Sequence, residues 1–228
     1  MTASNESTLS NVQTRRGETS SSNIRFTPDV FPEAKNTRTG VSVRYVPDAT
    51  KEWFVFRASY RREDKASNFL IDDGTYTYIA KKYVEKHIHG KRQRFLATLI
   101  PNLVFAYTTK QKADEYVNST PALSYLSYYY NHFENNAQQK NPPLTIPLEQ
   151  MNQFVQATSN RNEHLLFVDE SQCHYKGGEK VVVTEGTFKG VKGRVARIAG
   201  QQRVVVELST IGLISTAYIP TAFIKTIE

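Results

Sequence analysis

Trp53-Phe54-Val55-Phe56 is a compact run of aromatic and β-branched residues with the composition of a buried strand, and the chain on either side of it divides accordingly. Before it, residues 1–50 are dominated by Ser, Thr, Asn, Arg and Pro, and no apolar period lasts beyond a few positions. They predict a polar, largely disordered tail with room for one short strand at residues 41–46. A folded domain therefore begins at residue 51.

Downstream, Arg62, Glu63, Asp64 and Lys65 lead into Ala66, Phe69, Leu70 and Ile71 at helical spacing, so residues 61–71 predict an amphipathic helix, ended by Asp73-Gly74. Residues 76–88 predict one or two strands and residues 91–96 a returning strand; with Gly90 at the turn they make a hairpin with a strongly basic tip. Pro101 fixes its own φ and biases Ile100 toward extended angles. The strand at 103–108 follows, with Leu103, Phe105 and Tyr107 on one face and Val104 and Ala106 on the other. A short helix at 110–118, an aromatic strand region at 123–133 and a polar loop at 135–143 come next. A last helix at 147–157, with Leu148, Met151, Phe154 and Val155 as its stripe behind Pro147, completes a unit spanning 51–160.

Residues 161–175 read as a linker. Residues 176–228 predict a small all-β unit, with strands at 180–183, 193–198, 203–208 and 214–219 punctuated by Gly186, Gly190, Gly200 and Gly212 at turn positions.

Composition narrows the partners. With 228 residues, 39% of them hydrophobic, the chain is long enough for two cores. A net charge of +7 favours an anionic partner such as nucleic acid, because clustered Lys and Arg release the counterions of phosphates. A single cysteine, Cys173, excludes an intrachain disulfide and a multi-thiolate zinc site, as expected of a reducing compartment. Residues 1–22 lack the apolar core of a secretory signal, and the uncharged stretch at 208–224 holds Gly212 and Pro220, so a cytoplasmic protein that does not enter a membrane is expected. No phosphate-binding glycine loop, nucleophile elbow or paired-histidine metal motif appears, and no cofactor is expected. His87 and His89 alternate on one strand side without a third ligand. A binding protein is the expectation, not an enzyme.

Two segments resemble one family. The stretch from Gly178-Glu179-Lys180-Val181-Val182-Val183 through Gly186-Thr187-Phe188-Lys189-Gly190 to Gly193-Arg194-Val195 is similar to a KOW motif, in which Gly186, Phe188, Gly190 and Gly193 would carry the turn and its packing. Trp53-Phe54-Val55-Phe56, Gly90-Lys91-Arg92, Leu99-Ile100-Pro101-Asn102-Leu103-Val104-Phe105 and Pro143-Leu144-Thr145-Ile146-Pro147 resemble, in order, the NusG N-terminal domain. The spacing from Gly90 to Asn102 is similar to the specialised RfaH- and UpxY-type branch. The resemblance implies an α+β fold: a ferredoxin-like NusG N-terminal domain followed by an SH3-like all-β KOW barrel. It implies a monomeric transcription elongation factor that binds the clamp helices of RNA polymerase and promotes processive antitermination of a capsular or exopolysaccharide operon. A general NusG-type factor and a ribosome-associated KOW RNA-binding protein are the alternatives. Ser209 to Ala217 lack the Phe-Gly-Arg-type segment of housekeeping relatives, which weakens the inference of a ribosomal or termination-factor partner.

For polymerase docking the matching residues are Arg57, Pro101, Asn102, Leu103 and Phe105, on a sheet face expected to stand open. The bland reading is that Leu103 and Phe105 fill the domain's own core. For DNA or nascent RNA near the transcription bubble the candidates are Lys81, Lys82, Lys86, Lys91, Arg92 and Arg94, which would hold phosphates without reading sequence. Against this stands a merely solvated hairpin. Tyr125, Tyr128, Tyr129 and Tyr130 suit either base stacking or, more simply, core packing.

Overall fold

The computed structural model describes residues 30–131 and 141–227. Most of the expected tail, residues 1–29, and most of the expected polar loop, 132–140, lie outside the described residues. Residues 30–50 are structured. Strands β1 (Ala34–Lys35) and β2 (Ser42–Val43) pair with each other, and Phe31 and Tyr45 beside them are buried.

Strand β3 (Glu52–Ala58) buries Trp53, Phe54, Val55 and Phe56, so both of its faces are covered. Helix α1 (Glu63–Asp72) carries Glu63 and Asp64 in its first turn, where acidic side chains complement the helix dipole. Gly74 leaves it at a φ of +76°. After β4 (Tyr76–Tyr78), strands β5 (Lys81–Ile88) and β6 (Lys91–Thr98) form a two-stranded sheet of their own. His89 and Gly90, at φ 49° and 75°, make its turn, whose left-handed angles match the strand twist. All six residues of β7 (Leu103–Thr108) are buried. Helix α2 (Lys110–Asn118) is capped by the Thr109 hydroxyl, which accepts from the Lys112 amide at 3.3 Å. Strands β8 (Leu126–Tyr128) and β9 (Thr145–Ile146) precede α3 (Leu148–Thr158), which starts behind Pro147.

The main sheet is antiparallel in the order β4-β7-β3-β8, with β9 also on β3. On one face Phe54, Phe56, Val104 and Ala106 pack with Ala66 and Leu70 of α1 and Ala113 and Tyr116 of α2. On the other, Trp53, Val55, Leu103, Phe105 and Tyr107 join Met151, Phe154 and Val155 of α3. Each large side chain so buried stabilises the fold by about 1.5–3 kcal/mol.

The C-terminal unit consists of β10 (Leu166–Val168), β11 (His174–Val183), β12 (Lys192–Ile198), β13 (Gln201–Leu208), β14 (Gly212–Tyr218) and β15 (Ile224–Thr226). Its order is β10-β14-β13-β12-β11-β15, antiparallel throughout. Residues 161–175, expected as a linker, supply β10 and the start of β11. Where an SH3-like barrel is expected, the described residues form a β-rich unit of six antiparallel strands, and no pairing between β10 and β15 is present among them. Both edge strands have three residues, and β11 shifts register between Tyr175 and Lys180. The chain is thus mixed α/β, with three α-helices among the described residues and a β-rich C-terminal unit.

One edge of α3 ties the two units together. The Gln150 side-chain oxygen accepts from the Ser209 amide at 2.8 Å, that of Gln153 from the Lys192 amide at 2.7 Å, and the Gln156 amide donates to the Lys189 carbonyl at 3.0 Å. Spaced three residues apart, these glutamines lie along one helix edge and satisfy backbone groups at the ends of the C-terminal strands.

Candidate functional site

The residues expected to dock a partner are split by the structure. Leu103 and Phe105 are 5% and 1% exposed, with the Phe105 ring 5.1 Å from that of Phe154. The face expected to stand open is therefore covered, because α3 crosses it and Val204, Val206, Leu208 and Ile214 of the C-terminal sheet extend the same apolar cluster. Arg57 and Pro101 remain exposed. Asn102 adopts φ 64°; its carbonyl accepts from the Ala58 amide at 2.8 Å and its side-chain oxygen from the Arg61 amide at 2.9 Å. It holds the turn, and its side chain is engaged there.

That turn shapes a feature not anticipated from the residues. Tyr60, at φ 61°, and Arg61, at φ 54°, are two successive non-glycine residues in the left-handed region, each strained by about 1–3 kcal/mol. Tyr60 is thrust into solvent, 84% exposed, with the Arg62 guanidinium 5.6 Å from its ring. Arg57, Arg61, Arg62 and Lys65, near it in the chain, are exposed cations. The signal is hard to read from sequence because neither residue is Gly or Asn, the types that usually mark such angles.

The basic hairpin is present, and its six cations divide. At the base, Lys81 meets Asp64 of α1 at 2.5 Å, and Lys82 Nζ donates to the Leu165 carbonyl at 2.8 Å. Partial burial pulls the Lys82 ammonium below its ordinary pKa. Arg94 lies 4.0 Å from the Tyr83 ring and 3.9 Å from Glu163. Lys86, Lys91 and Arg92 stand exposed around the tip, beside His87 and His89. Cross-strand register pairs His87 with Arg92 and Lys86 with Gln93, so tip charge is presented on both faces of the ribbon. The geometry suits a phosphate backbone approached tip-first, and the basal cations instead anchor the hairpin to the domain.

Tyr125 and Tyr128 are buried, Tyr129 is half-buried and Tyr130 is 42% exposed, so core packing accounts for the first two. In the C-terminal sheet, Gly186 and Gly190 take φ of +80° and +86° at turns, and Phe188 is buried. Gly193 is fixed by contact: a Cβ there would lie 2.3 Å from the Val205 carbonyl oxygen. Among the described residues no group of three or more His, Cys, Asp or Glu side chains is placed to hold a metal. No helix among them is long and apolar enough to cross a membrane.

Residues 51–155 match the family described as NusG, "Transcription termination factor nusG". The matched segment runs from β3 into α3 and contains the hairpin, both sheet faces and the Pro101-Asn102 turn. Over that segment the chain is similar to the NusG family. No curated protein matches the chain.

Proposed function

We propose, from the premise of a NusG domain at residues 51–155, that this chain is a transcription elongation factor that binds RNA polymerase and promotes processive antitermination. It acts as a binding protein and not as an enzyme, in the cytoplasm, as a monomer, and its target is a capsular or exopolysaccharide operon. The observation that carries the reading is that the matched segment coincides with a folded domain combining an aromatic sheet face and a cationic hairpin tip.

Docking on the clamp helices is assigned to the Trp53 and Tyr107 end of the sheet face, with Arg57 and Pro101 as exposed flanking residues, while Leu103 and Phe105 stay in the core shared with α3 and support that surface from below. Large aromatics and arginine are the side chains that anchor protein interfaces. Because that face is covered in the structure, binding there needs part of the cover to leave. Lys86, Lys91 and Arg92 are assigned to DNA or nascent RNA, where contacts to phosphate position the protein without selecting sequence. The operon assignment is supported by the resemblance of the hairpin-to-Asn102 spacing to the specialised branch.

Multi-round transcription by purified core polymerase across a terminator tests the function. Read-through is expected to rise with added protein. Unchanged or lowered read-through would remove antitermination from the account, and in the second case would favour a terminating role.

A further inference from the structure

Trp53, Tyr76 and Tyr107 form an aromatic surface at one end of the sheet face, and the chain lays its own rings on it. Phe31 stacks on Trp53 with centroids 5.4 Å apart and Tyr45 does so at 5.8 Å, while Tyr45 lies 4.8 Å from Tyr107. The tyrosine hydroxyls are matched as well. Tyr76 donates to the Pro32 carbonyl at 2.6 Å, and Tyr107 donates to the Asp48 carbonyl at 2.7 Å while accepting from the Asp48 amide at 2.8 Å. A surface of apolar rings with polar tips is met ring to ring and tip to backbone by one strip of peptide.

The two covers of the face are held differently. Helix α3 inserts Met151, Phe154 and Val155, each fully buried, and its glutamines bind the C-terminal strands. Strands β1 and β2 pair with each other and, among the described residues, with no strand of the main sheet. Their outer end is fastened at the surface, where Asn36 and Thr39 donate to the exposed Asp72 carboxylate at 2.8 and 2.6 Å. A segment without a backbone ladder to its support opens at lower cost than one woven into the core. Beside its last residues a cleft of about 460 Å³, bordered by Asp48, Ala49, Trp53, Tyr107, Ile146 and Leu148, is open to solvent. An incoming side chain gains a foothold there next to Trp53.

We propose that residues 30–50 are a displaceable strap, seated where an apolar helical segment of a protein partner binds, so that strap and partner exclude each other on the Trp53–Tyr76–Tyr107 surface. This rests on the polymerase-docking reading above and adds the device that gates it. The partner's apolar side chains replace Phe31 and Tyr45, and α3 stays in place. Apparent affinity is then reduced by the fraction of molecules whose strap is closed.

Trp53 is the single tryptophan of the chain and lies under the strap, so its quenching by acrylamide reports opening directly. The test uses the full chain, the double variant Phe31→Ser/Tyr45→Ser and the milder Asp72→Ala, which releases the outer fastening. Quenching is measured on each free protein and affinity on immobilised core RNA polymerase. Expected are a several-fold rise in quenching and an affinity gain of about tenfold for the double variant, with smaller changes of the same sign for Asp72→Ala. Increased quenching with unchanged polymerase affinity overturns the strap, as does unchanged quenching in both variants. Should the double variant unfold, Asp72→Ala decides by the same two readings. Absence of binding by every protein, wild type included, while quenching still rises, is a different pattern: it removes the docking reading and the strap's gating role with it.

Discussion

The ring of Phe105, at the centre of β7, lies 5.1 Å from that of Phe154 on α3, at an interplanar angle of 56°. This pair joins the middle of the sheet to the helix that carries the C-terminal unit. It makes the strand expected to face a partner part of a shared core.

Phe105→Ala and Phe154→Ala are each expected to destabilise the protein by about 3–5 kcal/mol, as large buried aromatics do when a cavity replaces them. Denaturant unfolding monitored by circular dichroism measures this. A loss below about 1 kcal/mol for either would mean that the ring is not packed as described.

The α3 glutamines hold backbone groups of the neighbouring unit, and each such hydrogen bond contributes about 0.5–1.5 kcal/mol. Gln150→Ala/Gln153→Ala is expected to loosen the C-terminal sheet from α3 while both units stay folded. Hydrogen exchange should accelerate at Lys192 and Ser209, whose amides lose their acceptors, and remain slow inside β13. Unaltered exchange at both amides would contradict this attachment.

Removal of the tip cations separates their role from that of the base. Lys86→Ala/Lys91→Ala/Arg92→Ala is expected to lower the slope of log affinity against log salt for duplex DNA by roughly 2 to 3, at about 0.9 for each phosphate contact. Lys82→Met, which removes the bond to the Leu165 carbonyl, should leave that slope unchanged. Equal effects of the two would show that tip and base are not distinct.

Acid should unfasten α2. The Lys110 ammonium, which contacts the Asp114 carboxylate, and the Tyr128 hydroxyl, which donates to it at 2.8 Å, hold Asp114 below the usual carboxylate range. A carboxylate with a depressed folded pKa contributes stability that is present above its unfolded pKa and is lost as pH falls through the folded value. Melting temperature should therefore fall less steeply below pH 4 for Asp114→Asn than for the unaltered chain. Parallel curves would contradict the linkage.

How far the residues foretell this molecule depends on the kind of signal. Helices α1 and α3 and strand β7 follow from apolar spacing, since periodicity reports which side chains must leave water. The His89-Gly90 turn follows from glycine's freedom at positive φ. What covers a sheet face does not follow, because alternation in β7 yields two apolar faces and names neither cover. Leu103 and Phe105 thus read equally well as a docking surface or as core. Of residues 30–50 only a short strand at 41–46 is legible, where β2 lies; the seating of the segment is not, because Phe31 and Tyr45 are isolated aromatics in a polar stretch and are buried against Trp53, a residue distant from Phe31 in the chain. Strand β10, with three residues, is too short for its period to be read. The left-handed angle of Arg61 goes with a hydrogen bond from its amide to Asn102, a contact across 41 residues that the local sequence does not reveal.

Equilibrium binding of the full chain to core RNA polymerase, compared with the same enzyme from which the clamp-helix tip has been excised, tests the central claim most directly. The account predicts saturable one-to-one binding to the intact enzyme and its loss on excision. Equal binding to both enzymes, or to neither, would contradict it.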